Sequence, residues 1–389
     1  MSDASELGES AGLYVHVPFC ERACPYCDFD FQVGRAERLG PAIARWMAGL
    51  ERERLSRWSP GERVAVDTIY VGGGTPSVLS AAQLRALFGW LRDAFELETA
   101  ALREVTVELN PEHVDGERLD SLLECGVDRV SLGVQTLASA GLRELGRAHE
   151  RDAALAAITQ CVRRGLRTSA DLILGWRGQG ADALRRDLDG LLAAGVEHVS
   201  IYGLTIEPDT PWPKLVRRGL RVLPDEDAQT DLLQLAEVEL EARGFGHYEV
   251  ASYAKPGAEA IHNSKYWRWV DVIGLGPSAA SVRHCERASV ERRSNPRGLD
   301  AWGSGEPAIV ERLEGEQAAA EGLWLGLRRL RGLDVNPYLA RFGVDRAWLE
   351  ARTARQRQLG NLEWLDGGAR LRVAPGRWLW HDTIATDLL

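Results

Sequence analysis

From residue 13 to about 204 the chain alternates short β-rich runs with longer amphipathic ones. The pattern predicts strands at Leu13–Val17, Thr68–Val71, Glu104–Leu109, Arg129–Gly133, Thr168–Leu174 and His198–Leu204. Between them lie "AAQLRALFGWLRDAF", "DGERLDSLLECG", "ERDAALAAITQCVRRG" and "GADALRRDLDGLLAAG", with apolar residues at helical spacing. The last three run out at a glycine, as helix C-termini commonly do. Such alternation predicts βαβ units and a parallel sheet. Six strands are too few for an eightfold barrel and suit a partial one. In parallel α/β folds the chemistry gathers at the C-terminal strand ends. A cysteine-rich loop follows the first strand, "GGGTP" the second, and "ELNP" closes the third. Gln135 lies past the fourth, and "LILGW" ends the fifth.

After residue 204 the alternation stops. A proline-rich connector, "IEPDTPWPKL", leads into a helix over Asp225–Arg243. Then come the aromatic "FGHYEVASYAKPGAEAIHNSKYWRW" and the glycine-rich "VIGLGPSAAS". From about 316 the pattern is helical again. The final "NLEWLDGGARLRVAPGRWLWHD" reads as a hairpin behind a small helical bundle. The expected organisation is an N-terminal tail (1–12), an α/β partial barrel (13–210), a connecting segment (211–300) and a helical, winged-helix-like C-terminal domain (301–389).

Composition changes this picture little, at 45% hydrophobic and 27% charged residues. The net charge of −10 and the lack of a basic recognition helix argue against nucleic acid as a partner, despite the wing. The acidic start "MSDASELGESAG" does not resemble a signal peptide, and no apolar run approaches membrane-spanning length. The expected location is therefore cytoplasmic, where clustered cysteines read as metal ligands or catalytic groups. Cys125, Cys161 and Cys285 are scattered among apolar or helical neighbours and read as buried thiols.

Half of the six cysteines lie in "YVHVPFCERACPYCDFDFQVG". The spacing of Cys20, Cys24 and Cys27 would suit one face of a helix, but Pro25 interrupts it, and Pro18 and Asp28 bracket a loop. A structural zinc site needs four ligands, and only His16 is at hand as a fourth. An iron–sulfur cluster fits better: three thiolates leave one iron of a [4Fe–4S] cube open to a small molecule.

The CxxxCxxC of Cys20, Cys24 and Cys27 resembles the signature of the radical S-adenosylmethionine (SAM) superfamily. The ordered series "YVGGGTPSVL", "VELNPE", "RVSLGVQT", "GRAHE", "DLILG", "YGLTIEPDT", "YEVASYAKPG", "HNSKYW" and "GLGPSAAS" is similar to its coproporphyrinogen III oxidase-like branch. The resemblance implies a partial (β/α)6 radical-SAM barrel holding a [4Fe–4S] cluster and SAM. It assigns Tyr14, Tyr26, Gly73, Gly74, Thr75, Glu108, Gln135, Arg147 and Asp171 to SAM. Read by themselves, the glycines could be a tight turn, Glu108 a solvated or salt-bridged carboxylate, the tyrosines core packing, and Gln135, Arg147 and Asp171 surface or capping residues.

Phe29 stands where the oxidases of this branch carry a fourth cysteine, and only 13 residues reach the start of the first strand. Both departures resemble the haem-chaperone (HemW-type) subgroup, as does "HNSKYW", which matches HNxxYW. That resemblance implies haem as cargo, bound through His262, Asn263, Tyr266 and Trp267. It also implies acceptor haemoproteins, respiratory and at the inner membrane, and an electron donor for the cluster. Alternatives are a hydrogen-bonded core histidine at 262 and, for the whole chain, a radical-SAM enzyme, either an oxidative decarboxylase or a methyltransferase. Trp176–Arg177 replaces a usual proline and Ala280 a frequent histidine, changes expected to bear on the SAM pocket wall and on a cargo contact.

Overall fold

Period-two alternation sorts the side chains of each central strand into two sets. One set is apolar and joins a single core: Leu13, Val15, Val17, Ile69, Val71, Val105, Val107, Val130, Leu132, Ala170, Leu172, Val199 and Ile201 are all buried in it. The other set is polar or aromatic and meets across the concave face, as Tyr14 does with Tyr70, Ser131 with Asp171, and Ser169 with His198. Helices cover the apolar side, and the polar side lines the interior.

The computed structural model describes residues 10–97, 102–285 and 288–389. Most of the predicted tail, with its acidic start, lies outside the described residues. The central strands are β1 (Ala11–Val17), β2 (Val66–Gly73), β3 (Glu104–Leu109), β4 (Arg129–Gln135), β5 (Arg167–Leu174) and β6 (His198–Gly203). They pair in parallel in that order. After them come β7 (Gly246–Glu249), β8 (Ser252–Ala254), β9 (Val272–Leu275), β10 (Ala280–Cys285), β11 (Ser289–Ser294) and β12 (Ile309–Glu314). Among the described residues these twelve form one open sheet of order β12-β11-β10-β9-β1-β2-β3-β4-β5-β6-β8-β7.

The α/β fold class and central parallel sheet stand as expected. Strand β9 is an addition: "VIGL" inserts as a seventh parallel strand beside β1, pairing Val272 with Gly12 and Leu275 with Val15. The 22-residue helix Ala36–Arg57 also escapes the periodicity, because Gly40, Pro41 and Gly49 interrupt its pattern. It forms because Leu39, Ile43, Trp46 and Leu50 share a buried face. Helix starts follow capping chemistry: Ser80 and Gln83 form a capping box, and Asp225 caps Glu226–Ala242. At the C-terminus, Leu333–Asp334, Leu362–Leu365 and Arg370–Val373 form a three-stranded sheet against helices, over a core that includes Leu323, Tyr338, Phe342, Leu349 and Leu371. Cys125 and Cys161 are buried, but Cys285, read as buried, is only half-buried because it ends β10 at the tip of a hairpin.

Candidate functional site

The cysteine loop is closed at its base by a two-residue parallel pairing of Phe19–Cys20 with Gln32–Val33. Within it Pro25 rules out a helix, and Cys27 N–H donates to Cys24 O at 3.2 Å in a tight turn. The loop projects from the C-terminal end of β1, so its thiols reach the ends of β2 to β6. Cys20 shares a hydrogen bond with Thr75 (Sγ–Oγ1 3.2 Å), and Arg147 Nη1 donates to Cys24 Sγ at 3.5 Å. Burial pushes the Cys20 thiol up to about 12 and that of Cys27 up to about 11.

These thiols line a cavity of about 390 Å³ whose walls include Tyr26, Gly73, Gly74, Glu108, Gln135, Arg147 and Asp171. Two glycines make the cradle. Gly73 has φ +108°, and a Cβ there would lie 2.5 Å from His16 Nδ1. Gly74 donates to Val17 O at 2.9 Å, and a Cβ on it would stand 2.7 Å from Phe19 O. Backbone can thus approach a ligand where no other residue could.

Glu108 accepts from Tyr70 Oη at 2.7 Å and from Gly73 N–H at 3.1 Å. Burial raises its carboxyl to about 7, although the Tyr70 bond opposes this. Asp171 accepts from Ser131 at 3.2 Å, and burial raises it too. Arg147 is pinned by Asn110 Oδ1 (2.7 Å) and Gly133 O (2.9 Å). Gln135 holds φ +66°, a left-handed conformation uncommon for a side chain with a Cβ and concentrated at functional sites. Tyr14 lies deeper, its ring 6.2 Å from that of Tyr70 and its hydroxyl 3.0 Å from His16 Nδ1. His16 Nε2 donates to Asp30 O at 2.9 Å, which leaves Nδ1 to accept from Tyr14. Burial keeps this imidazole neutral.

Phe29 lines the same cavity and is 63% exposed. Trp176 is 5% exposed and packs with Leu145, Ile173 and Leu204, behind the wall. Arg177 pairs with Glu144 at 3.6 Å, and Ala280 is exposed at the start of β10.

The "HNSKYW" residues form the short helix Ile261–Trp267 at the opposite, N-terminal ends of the strands. Glu104, where β3 begins, accepts from the backbone N–H groups of Ile261 (2.9 Å) and His262 (3.0 Å). His262 is 1% exposed, with Nδ1 3.0 Å from Thr68 Oγ1 and its ring 5.4 Å from that of Tyr70. Burial lowers its pKa to about 3, so the imidazole is neutral, and Nε2 has no hydrogen-bond partner among the described residues. Tyr266 and Trp267 are half-buried with ring centroids 6.0 Å apart, and Asn263 is half-buried beside them. The structure therefore gathers the cysteines and the residues of the cradle at one mouth and sets the His262 group at the other.

Tyr70, Asn110 and Asp30 were not singled out by sequence reasoning. Tyr70 carried a usable signal: it stands two residues before Gly72, and so on the same inner face of β2. Asn110 stands in "ELNP", directly after the end of β3.

Residues 14–191 match the family model described as the radical SAM superfamily. Heme chaperone HemW of Mycobacterium tuberculosis is 39% identical over 273 residues, 70% of this chain and 69% of that one. Heme chaperone HemW of Lactococcus lactis is 33% identical over 341 residues, covering 86% of each chain. The solved coproporphyrinogen III oxidase (HemN) of Escherichia coli, a radical SAM enzyme, superposes with a TM-score of 0.79 over 98% of this chain and 90% of its own. At 21% identity that is a likeness of fold.

Proposed function

The chain belongs to the radical SAM superfamily and, within it, to the heme chaperone HemW family, and we propose that it binds a [4Fe–4S] cluster, SAM and haem and delivers the haem to acceptor haemoproteins. One observation carries the first half: three free thiols and a cradle that admits only glycine share one cavity. Three thiols lining one cavity suit an iron–sulfur cluster.

In this proposal Cys20, Cys24 and Cys27 hold the cluster, and Tyr14, Tyr26, Gly73, Gly74, Thr75, Glu108, Gln135, Arg147 and Asp171 form the SAM site. When bound, the cluster and SAM supply one-electron chemistry at a sulfonium. The chain's own part is positional. Arg147 places positive charge beside Cys24, the Gly73–Gly74 backbone offers a close approach, and Glu108 offers an acceptor for an ammonium or for ribose hydroxyls.

Haem is assigned to the face carrying His262, Asn263, Tyr266 and Trp267. His262 is enclosed, so ligation there requires the Ile261–Trp267 helix to move. Acceptor haemoproteins, an electron donor and a cytoplasmic setting beside respiratory membranes belong to the same proposal. No described helix is long and apolar enough to cross a membrane.

The test is an anaerobic haem titration of the cluster-reconstituted chain, run beside a coproporphyrinogen assay with SAM and reductant. A saturable Soret band near one haem per chain, with no decarboxylated product, is expected. Turnover without haem uptake would return the chain to the enzymes.

A further inference from the structure

Tyr70 lies between the two ends of the interior, bonded to Glu108 on one side and beside His262 on the other. Its hydroxyl donates to Glu108 Oε1 at 2.7 Å, and Gly73 N–H takes the other carboxylate oxygen at 3.1 Å. Its ring stands between that of Tyr14 (6.2 Å) and that of His262 (5.4 Å), with its hydroxyl turned to Glu108. The alternation of β2 turns Tyr70 into the interior, and β3 presents Glu108 from the neighbouring strand in register, with Tyr70 paired to Thr106 two residues before it. Nothing about the packing of β2 alone calls for a hydroxyl here, since phenylalanine would fill the same space.

We propose that Tyr70 is a positioning residue for the SAM site: its hydroxyl fixes the orientation of the Glu108 carboxylate toward the cavity. This rests on the assignment of Glu108 to SAM made above. The groups facing Glu108 are Tyr70 on its own side of the sheet, Asp171 from β5, whose negative charge disfavours ionisation, and Arg129 from β4, whose positive charge favours it. Tyr14 and Tyr202 feel the same carboxylate from β1 and β6. Burial is the largest influence and opposes the charge, and the tyrosine bond is the largest that favours it. Removing one hydroxyl therefore moves the balance toward the neutral acid.

The experiment is equilibrium binding of SAM to the full-length, cluster-reconstituted protein under anaerobic conditions between pH 6 and 9. The chains compared are the wild type, Tyr70→Phe, Glu108→Gln and a chain carrying 3-fluorotyrosine at position 70. The infrared band of the protonated buried carboxyl, identified by its absence from Glu108→Gln, is followed in the SAM-free proteins. In the wild type, the affinity has its midpoint at about 7, rising to its full value above and falling below as Glu108 takes up a proton. In Tyr70→Phe the midpoint of both affinity and carboxyl band moves up by about one pH unit, and affinity at pH 7 falls about five-fold. The fluorinated ring keeps its shape and donates more strongly, so its midpoint moves down. A uniform loss in Tyr70→Phe with an unmoved midpoint, or no change at all while Glu108→Gln binds weakly, would overturn the proposal. Wild-type affinity in Glu108→Gln would instead overturn the assignment of Glu108 to SAM, and the role of Tyr70 with it.

Discussion

Ser278 Oγ donates to Asp30 Oδ2 at 2.8 Å, joining the loop after β9 to the loop that carries the cysteines. Gly298 N–H reaches the same oxygen at 2.6 Å, and Arg297 donates to Asp28 O at 2.9 Å. The segment behind Cys27 is thus held from two sides, by residues 276–298 and by β1, whose His16 donates to Asp30 O. That segment is itself anchored: Glu53, buried under the sheet, accepts from Gly276 N–H, Asn295 Nδ2 and Trp302 Nε1.

Asp30→Ala removes an acceptor of two bonds, each worth about 1–3 kcal/mol when the acceptor is charged. The expected result is a cluster lost to chelator about ten-fold faster, read as iron per chain against time. Asp30→Asn keeps an oxygen that can accept from both partners but without the charge, and should lie between the wild type and Asp30→Ala. Equal loss in both variants would mean that charge, not the latch, matters.

Gly73→Ala places a methyl group against His16 at a φ of +108°. Strain of about 1–3 kcal/mol is expected from the backbone alone. The protein should still fold, because the strain is local, but the cradle should widen and SAM affinity fall at least ten-fold by equilibrium dialysis. Unchanged affinity would remove Gly73 from the site.

Glu108 titrates at about 7 when folded, above its ordinary unfolded value. Between those values the native state holds a proton that the unfolded chain has lost, so stability falls as pH rises through that window. The accumulated cost above pH 7 is on the order of 3–4 kcal/mol. Glu108→Gln loses one of the two acceptors at every pH but carries no charge, so its melting temperature relative to the wild type should rise between pH 4.5 and pH 8. A difference that does not change with pH would contradict this assignment of the carboxyl.

His262→Ala vacates a buried site and leaves the Thr68 hydroxyl without its partner. The expected loss is about 2–4 kcal/mol of unfolding free energy in denaturant titration. Haem uptake by this variant is interpretable only beside that measurement, since a loosened helix would weaken binding whether or not His262 is the ligand. An unchanged denaturation midpoint would show that the imidazole contributes nothing to the core.

Most local features of this protein were legible in its sequence. The six central strands, most of their helices, the C-terminal hairpin Leu362–Leu365 with Arg370–Val373 and the loop character of Cys20 to Cys27 follow from periodicity and from prolines and glycines acting on their immediate neighbours, whereas helix Ala36–Arg57 and the third C-terminal strand Leu333–Asp334 do not. The gathering of "GGGTP", "ELNP" and Gln135 at one face also follows, because parallel strands point their C-terminal ends the same way. The long-range partners had no such signal. That "VIGL" pairs with β1, that Tyr70 meets Glu108, that Ser278 meets Asp30, and that His262 is enclosed near the N-terminal ends of the strands depend on which strand lies beside which. Only the tertiary structure decides that, because neighbours in a sheet are chosen by the burial of whole apolar faces, to which residues scores or hundreds of positions apart contribute together.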